Sequence, residues 1–443
     1  MSDARSLAMA LVAESFGVDN GELVIGGVGA RALVEAYGSP LYVYDEGVMR
    51  RRFRALKAAV DGFARVFYSI KANPAVARVF VEEGAGLEVA SGAEYLQARA
   101  AGAEPESILF AGPGKSAKEL DLAIAGGIGE IHLECFEEIE IVARLAARLG
   151  RRVPVAIRVN PGPGAQGGAM RMGGKPLAFG FDEEILDEVV CAVTRHAALD
   201  LSGLHLFAGT QILDAKVLLA QWAYGLGLAV RLGGLIGRPL RRIDLGGGLG
   251  IPYHQGDGAL DLAAVSQGVR RLIGERAADP LLRSAEIVIE PGRYLAGPAG
   301  VYLMRVRNVK LSRGQRFIVA DGGMHHQLAA SGNLGQIIKR DYPIVAATRL
   351  DAPLLGDTQL VGPLCTPLDT LGRQTALPQL VAGDIVAVLQ SGAYGLSASP
   401  VGFLGHPMPA EAMAQDGGHR LIRRAGDFSA PLVNLTLEPV ASA

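Results

Sequence analysis

One lysine closes the run Phe67-Tyr68-Ser69-Ile70-Lys71-Ala72-Asn73-Pro74, where an apolar, strand-like stretch gives way to small and turn-forming residues. An amine at a strand end can condense with a carbonyl, or it can be an ordinary solvated charge; the octapeptide alone leaves both open. Farther along, Gly246-Gly247-Gly248 offers backbone N–H groups with no side chains in the way, and Glu290-Pro291-Gly292-Arg293 sets a carboxylate beside a cationic fork. Amides and an arginine together suit a phosphate. Plainer readings exist: a tight turn for the glycines, and an ion pair with a neighbouring arginine for Glu290.

The elements that would position these groups follow from periodicity. Short β-branched or aromatic runs at 66–70, 87–91, 108–112, 130–134, 155–160, 201–207, 242–246 and 286–290 alternate with Ala/Leu-rich segments of helical spacing. Parallel neighbours need crossover helices, so this rhythm predicts a (β/α)8 TIM barrel, whose active sites lie at the C-terminal strand ends. Lys71 then follows strand one. Arg158 and Asn160 fall on strand five, His205 on strand six, the glycine run after strand seven and Glu290 to Arg293 after strand eight. The last two loops are the barrel's habitual phosphate site.

An amine, a phosphate cradle and a carboxylate at one barrel mouth fit pyridoxal 5'-phosphate. Its aldehyde needs a lysine for a Schiff base, and its ring nitrogen needs an acidic partner to stay protonated.

Beyond about residue 300 the pattern changes to strands joined by turn-rich loops, which predicts a C-terminal, mostly antiparallel β domain. The expected division is an N-terminal segment 1–44 partly joining that domain, a barrel over 45–300 and the β domain over 301–443. The run Leu41-Tyr42-Val43-Tyr44-Asp45 reads as a strand of the same sheet. The glycine-rich segment 160–180 reads as a loop above the barrel.

Composition narrows the function class. The chain has 443 residues, 49% hydrophobic and 20% charged, with a net charge of −2. That describes a packed enzyme-sized globule with nothing to draw it to nucleic acid or an anionic membrane. Cys135, Cys191 and Cys365 are far apart and lack CxxC spacing, so a reducing cytoplasm is expected and a disulfide framework is not. No signal-peptide layout or membrane-spanning apolar run is present, and a soluble cytoplasmic protein is expected.

Phe67–Pro74, Gly86–Tyr95 (GLEVASGAEY), Asp244–Gly250 (DLGGGLG), Glu290–Tyr294 (EPGRY), Gly362–Cys365 (GPLC) and Ser391–Gly395 (SGAYG) occur in the order seen in fold-type III pyridoxal-phosphate decarboxylases, and the chain resembles that family from about residue 40 to 410. The family includes diaminopimelate, ornithine and arginine decarboxylases. The resemblance implies a homodimer with active sites built from both subunits. It implies Lys71 as the Schiff-base lysine and Glu290 as the partner of the ring nitrogen. Gly246, Gly247, Gly248, Gly292, Arg293 and Thr210 would hold the phosphate, and Tyr394 would contact the cofactor. Cys365, supplied by the other subunit, would reprotonate the substrate carbon; by composition alone it reads as a buried thiol. A racemase of this fold would carry arginine where Glu290 stands.

Three departures bear on the substrate. Phe207 stands where the family has a ring-stacking histidine, with His205 two residues earlier on the same strand face. Thr366 follows Cys365 where diaminopimelate and ornithine decarboxylases carry an acid for a distal ammonium. His325 and His326 stand where diaminopimelate decarboxylases present a substrate-binding segment. As strand neighbours they would point to opposite faces, which argues against a metal site and for contact with substrate or interface. The patterns DGGMHHQLAASGN (321–333) and GPLCTPLD (362–369), the latter with Asp369 as a further substrate candidate, resemble a subgroup linked to acyl carrier proteins. It contains the butirosin-pathway glutamyl-carrier-protein and exosortase-associated decarboxylases. The expected substrate is thus an amino acid without a distal ammonium, with tethering to an acyl carrier protein, as in a glutamyl thioester, suggested by the subgroup. Arg171 and Lys175 could meet the carrier, although solvated surface charges are the plainer reading. The alternatives are a free amino acid such as meso-diaminopimelate, or a non-catalytic binding role.

Overall fold

Eight of the apolar runs form parallel strands in the computed structural model, which describes residues 6–162, 170–171, 176–433 and 435. They are β1 Arg65–Ser69, β2 Gly86–Val89, β3 Ile108–Phe110, β4 Glu130–Leu133, β5 Val153–Asn160, β6 Leu199–Leu206, β7 Arg242–Asp244 and β8 Glu286–Ile289. Each pairs in parallel with the next, and β8 returns to β1, so the sheet closes as expected. The barrel belongs to a compact unit of Met49–Pro252 and Asp257–Ala296.

Helices follow each strand because the intervening segments bury one stripe. Phe136–Arg148 buries Ile139, Val142, Ala143 and Ala146, spaced three and four apart. Ala117–Ala125 starts with a capping box between Ser116 and Glu119, a cap worth about 1 kcal/mol. Strand alternation sends Ile131, Leu133, Ile243 and Leu204 to one side and Glu130, His132, Asp244 and His205 to the other, all of them buried. The barrel interior is therefore partly ionisable.

The second unit comprises Met1–Val48, Tyr253–Gly256 and Gly297–Ala443. Its long strand Gly300–Ser312 pairs antiparallel with Leu41–Asp45, Gln315–Ala320 and Ile385–Val388. Leu41–Asp45 also pairs in parallel with Ala410–Gln415, so the early strand joins the late sheet. Leu41, Val43, Val301, Leu303, Ile385 and Ala387 share one core with Leu11 and Leu33, from the helices Leu7–Ser15 and Ala30–Tyr37. The alternate residues Tyr42 and Tyr302 stack on the other face, ring centroids 4.6 Å apart.

Much of the glycine-rich segment 160–180, Lys175 included, lies outside the described residues. Within it, Met170–Arg171 pairs antiparallel with Gly209–Thr210. Among the described residues, no helix is long and apolar enough to cross a membrane.

Candidate active site

Lys71 sits in a one-turn 3-10 helix, Ile70–Ala72, directly after β1. Its Nζ lies 3.3 and 3.2 Å from the two oxygens of Glu88 on β2. Ser69 Oγ donates to Glu88 Oε2 at 2.5 Å. Glu88 is 1% exposed, whereas the Lys71 side chain is 43% exposed, so the amine is anchored yet accessible.

The three loops singled out by sequence meet at these strand ends. A Cβ on Gly292 would lie 2.9 Å from Ala72 Cβ and Ser69 O, so the Glu290–Arg293 loop packs on the lysine turn. A Cβ on Gly247 would fall 2.4 Å from Glu290 O, and Gly246 and Gly248 adopt φ of 69° and 92°. Only glycine fits this close approach and left-handed backbone. Asp244 Oδ1 accepts from Gly246 N at 2.8 Å, and Glu290 N donates to Gly246 O at 2.9 Å, locking the loops after β7 and β8 together. Phe207 packs at Gly246, 3.2 Å from where its Cβ would be. Thr210 is half-buried just beyond β6, and Arg293 opens the short helix Arg293–Ala296.

Glu290 is 4% exposed, and its carboxylate approaches His205 Nε2 at 3.6 Å rather than an arginine. Burial, then the neighbouring His132 and Arg158, hold His205 well below the usual imidazole range, so it is neutral. Arg158 Nη1 donates to Glu134 Oε1 at 2.6 Å. Burial opposes the charge on Glu134, but the Arg158 and Lys115 cations outweigh it and lower its carboxyl below the ordinary range. Asn160 Nδ2 donates to Asp182 Oδ1 at 2.8 Å.

Glu290 Oε1 and both His205 ring nitrogens are buried with no hydrogen-bond partner among the described residues. An unpaired carboxylate oxygen, a glycine cradle and an accessible amine on adjoining loops fit pyridoxal phosphate: an acceptor for a ring N–H, donors for a phosphate, an amine for an aldehyde.

The other unit carries the remaining candidates. Cys365 is exposed, unlike the buried thiol that composition alone would suggest. Thr366 Oγ1 accepts from Leu368 N at 3.3 Å and shapes the loop. Asp369 is 2% exposed, and its two oxygens accept from Met324 N at 2.6 Å and Leu364 N at 2.9 Å. Through these two bonds Asp369 staples two loops together. His326 is also committed, Nδ1 to Tyr302 OH at 3.0 Å and Nε2 to Pro407 O at 3.1 Å. Both of its ring nitrogens are thereby engaged within the fold. The His325 and His326 rings do not oppose each other across a strand; they lie in a turn with centroids 3.7 Å apart. His325 is fully buried and keeps both ring nitrogens without a hydrogen-bond partner among the described residues. Tyr394 holds a left-handed φ of 54°, a strained conformation for a tyrosine.

Sequence reasoning missed Glu88, His132 and Asp244. Glu88 stands two residues before Ala90 in the quoted GLEVAS run, and strand alternation from Glu130 and Arg242 would have turned His132 and Asp244 inward.

Residues 46–297 match the family described as pyridoxal-dependent decarboxylase, pyridoxal binding domain. The chain belongs to this family, and is a pyridoxal-phosphate-dependent decarboxylase. Among individual relatives, it is 39% identical over 400 residues to an L-glutamyl-[BtrI acyl-carrier protein] decarboxylase of Niallia circulans, covering 89% of this chain and 93% of that one. It is 30% identical to the diaminopimelate decarboxylase of Aquifex aeolicus, covering 92% and 94%. The crystal structure of the Helicobacter pylori diaminopimelate decarboxylase complexed with L-lysine superposes with a TM-score of 0.79 at 27% identity, covering 90% of this chain and 97% of that one.

Proposed function

We propose that the protein removes the α-carboxyl group of an amino acid lacking a distal ammonium, and that its substrate is a glutamyl group held as a thioester on an acyl carrier protein. One observation carries this reading. In the loop Gly362–Asp369, Thr366 follows Cys365, and the loop's single carboxylate, on Asp369, is occupied by Met324 N and Leu364 N. A distal ammonium leaving water would need a free acid there. A neutral thioester needs none. The 39% identity to a decarboxylase named for a carrier-bound L-glutamyl group supports the same choice.

Pyridoxal phosphate, when bound, supplies an electron sink for the pair left on the substrate carbon as CO2 departs. Lys71 Nζ would hold the cofactor through its aldehyde. The N–H groups of Gly246 to Gly248, with Gly292, Arg293 and Thr210, hold the phosphate. Phe207 would cover a ring face without donating a hydrogen bond, and the family resemblance gives Tyr394 as a further cofactor contact. Glu290 would partner the ring nitrogen and hold its proton in place. Cys365 Sγ returns a proton to the substrate carbon, in a homodimer where each subunit's Cys365 loop completes the other's site. Three exposed thiols without a disulfide accord with work in the cytoplasm.

The test is CO2 release and product mass spectrometry on free L-glutamate, L-ornithine, meso-diaminopimelate and a carrier-bound L-glutamyl thioester. The expected outcome is turnover of the carrier-bound substrate alone. Robust turnover of meso-diaminopimelate would overturn the reading, and no CO2 from any of them would favour a binding role.

A further inference from the structure

Six side chains meet inside the barrel: Glu130 and His132 from β4, His205 from β6, Arg242 and Asp244 from β7, and Glu290 after β8. None is more than 8% exposed. One polar atom from each of His132, His205, Asp244 and Glu290 lies within 4.8 Å of those of the other three. The two imidazoles have centroids 4.3 Å apart. His132 Nε2 stands between Glu130 Oε1 at 3.5 Å and Asp244 Oδ2 at 4.0 Å.

The charges do not balance. Three carboxylates face one guanidinium, and Arg242 also gives its Nε to Glu286 at 2.8 Å. The surrounding groups do not make up the difference. Glu88 on β2 adds negative field at Asp244, while Arg158 on β5 is already paired with Glu134. An uncompensated pair of buried anions costs several kcal/mol and takes up a proton instead. His205 is a poor holder, being buried beside a second imidazole and near Arg158. One carboxylate oxygen of Asp244 and one of Glu290 lie within 4.8 Å of each other. Asp244 Oδ2 and Glu290 Oε1 have no other hydrogen-bond partner among the described residues. Two ionised carboxylates so close and so buried repel, whereas one shared proton turns the pair into a donor and an acceptor. Asp244 Oδ1 already accepts from Gly246 N, which leaves Oδ2 for the hydrogen.

We infer that Asp244 carries a proton on Oδ2 at neutral pH and donates it to the Glu290 carboxylate, acting as the positioning residue for the group that faces the cofactor ring nitrogen. The donated hydrogen bond fixes the Glu290 rotamer, and the added proton removes one of the two uncompensated negative charges where the ring N–H arrives. The same Asp244 side chain, through Gly246 N, sets the first glycine of the phosphate cradle. One residue thereby couples the two ends of the cofactor site. This rests on the assignment of Glu290 given above.

The test starts from the cofactor-free protein with carbon-13 in its aspartate carboxyls. Infrared spectra at neutral pH should show a protonated carboxyl stretch that disappears in Asp244→Asn. A wild-type spectrum without that band would overturn the inference. Asp244→Asn, whose amide can donate from the Oδ2 position, should bind pyridoxal phosphate within about twofold of wild type. Asp244→Leu, once its circular dichroism shows a folded protein, should bind about tenfold or more weakly, as for loss of one hydrogen bond to a charged group. Equal losses in both variants would overturn the donor role, as would a stoichiometric transition metal in the purified protein that is lost in His132→Phe. A band present while no substrate is decarboxylated would leave this inference standing and remove only the functional reading.

Discussion

Lys71 Nζ lies 3.2 Å from Glu88 Oε2, and Ser69 Oγ donates to the same oxygen at 2.5 Å. Two residues of one strand end thus converge on a buried carboxylate of the next strand. The lysine is aimed by the barrel and not by its own flexible stem. In Glu88→Gln the amide has one carbonyl oxygen to offer both donors. Pyridoxal phosphate affinity should fall about tenfold, as for a weakened charge-assisted hydrogen bond. Lys71→Ala should abolish the absorbance band of bound cofactor altogether. Absorbance titration with pyridoxal phosphate checks both.

Gly247→Ala introduces a Cβ 2.4 Å from Glu290 O, a backbone atom that cannot swing away. The loops after β7 and β8 must separate, at about 1–3 kcal/mol. A lower melting temperature together with weaker cofactor binding is the expected result. Unchanged binding would mean that the glycine run does not hold the phosphate.

The buried histidine pair makes stability depend on pH. Burial first, and His406 second, hold His325 down to about 4, and burial with His325 holds His326 to about 3, against an ordinary value of 6.5. The unfolded chain therefore takes up protons first as the pH falls. The stability these residues contribute is whole above 6.5 and is lost progressively on the way down to about 4 for His325 and about 3 for His326. His325→Phe, which removes one titrating ring and fills similar space, should cut the acid sensitivity by roughly 2 kcal/mol between about pH 7 and 4. Urea midpoints across that range measure it; parallel curves for mutant and wild type would contradict the assignment.

Cys365→Ala should leave cofactor binding intact while slowing product formation by about a hundredfold, the scale of one general acid. Running the reaction in deuterium oxide reports whether the label still enters one face of the product carbon. Full activity with full stereoselectivity would exclude the thiol as the proton source.

Thr366→Asp restores an acid next to Cys365. The ratio of kcat/KM for a free diamino acid to that for a carrier-bound glutamyl group should rise at least about tenfold, the worth of one new charge contact. An unmoved ratio would show that position 366 does not read the substrate's far end.

The sequence by itself determined the barrel, because eight β-branched runs separated by helical stripes have few other ways to bury both faces of a parallel sheet. It also determined Lys71, the glycine run and the Glu290–Arg293 loop as neighbours, since a closed barrel brings its strand ends together. The strand Leu41–Asp45 was legible as part of the late sheet from its alternation of Leu41 and Val43 with Tyr42 and Tyr44. Only the tertiary structure decided what the polar residues do once there. The motif letters name Asp369 and His326 as substrate candidates, but only the structure shows that Asp369 accepts from Met324 N and Leu364 N and that His326 pairs with Tyr302 OH and Pro407 O. Glu88, His132 and Asp244 drew no notice in a one-dimensional reading, because a buried charge is conspicuous only when its neighbours across the barrel are known. Periodicity says which way a side chain points, and the closing of the sheet says what it meets.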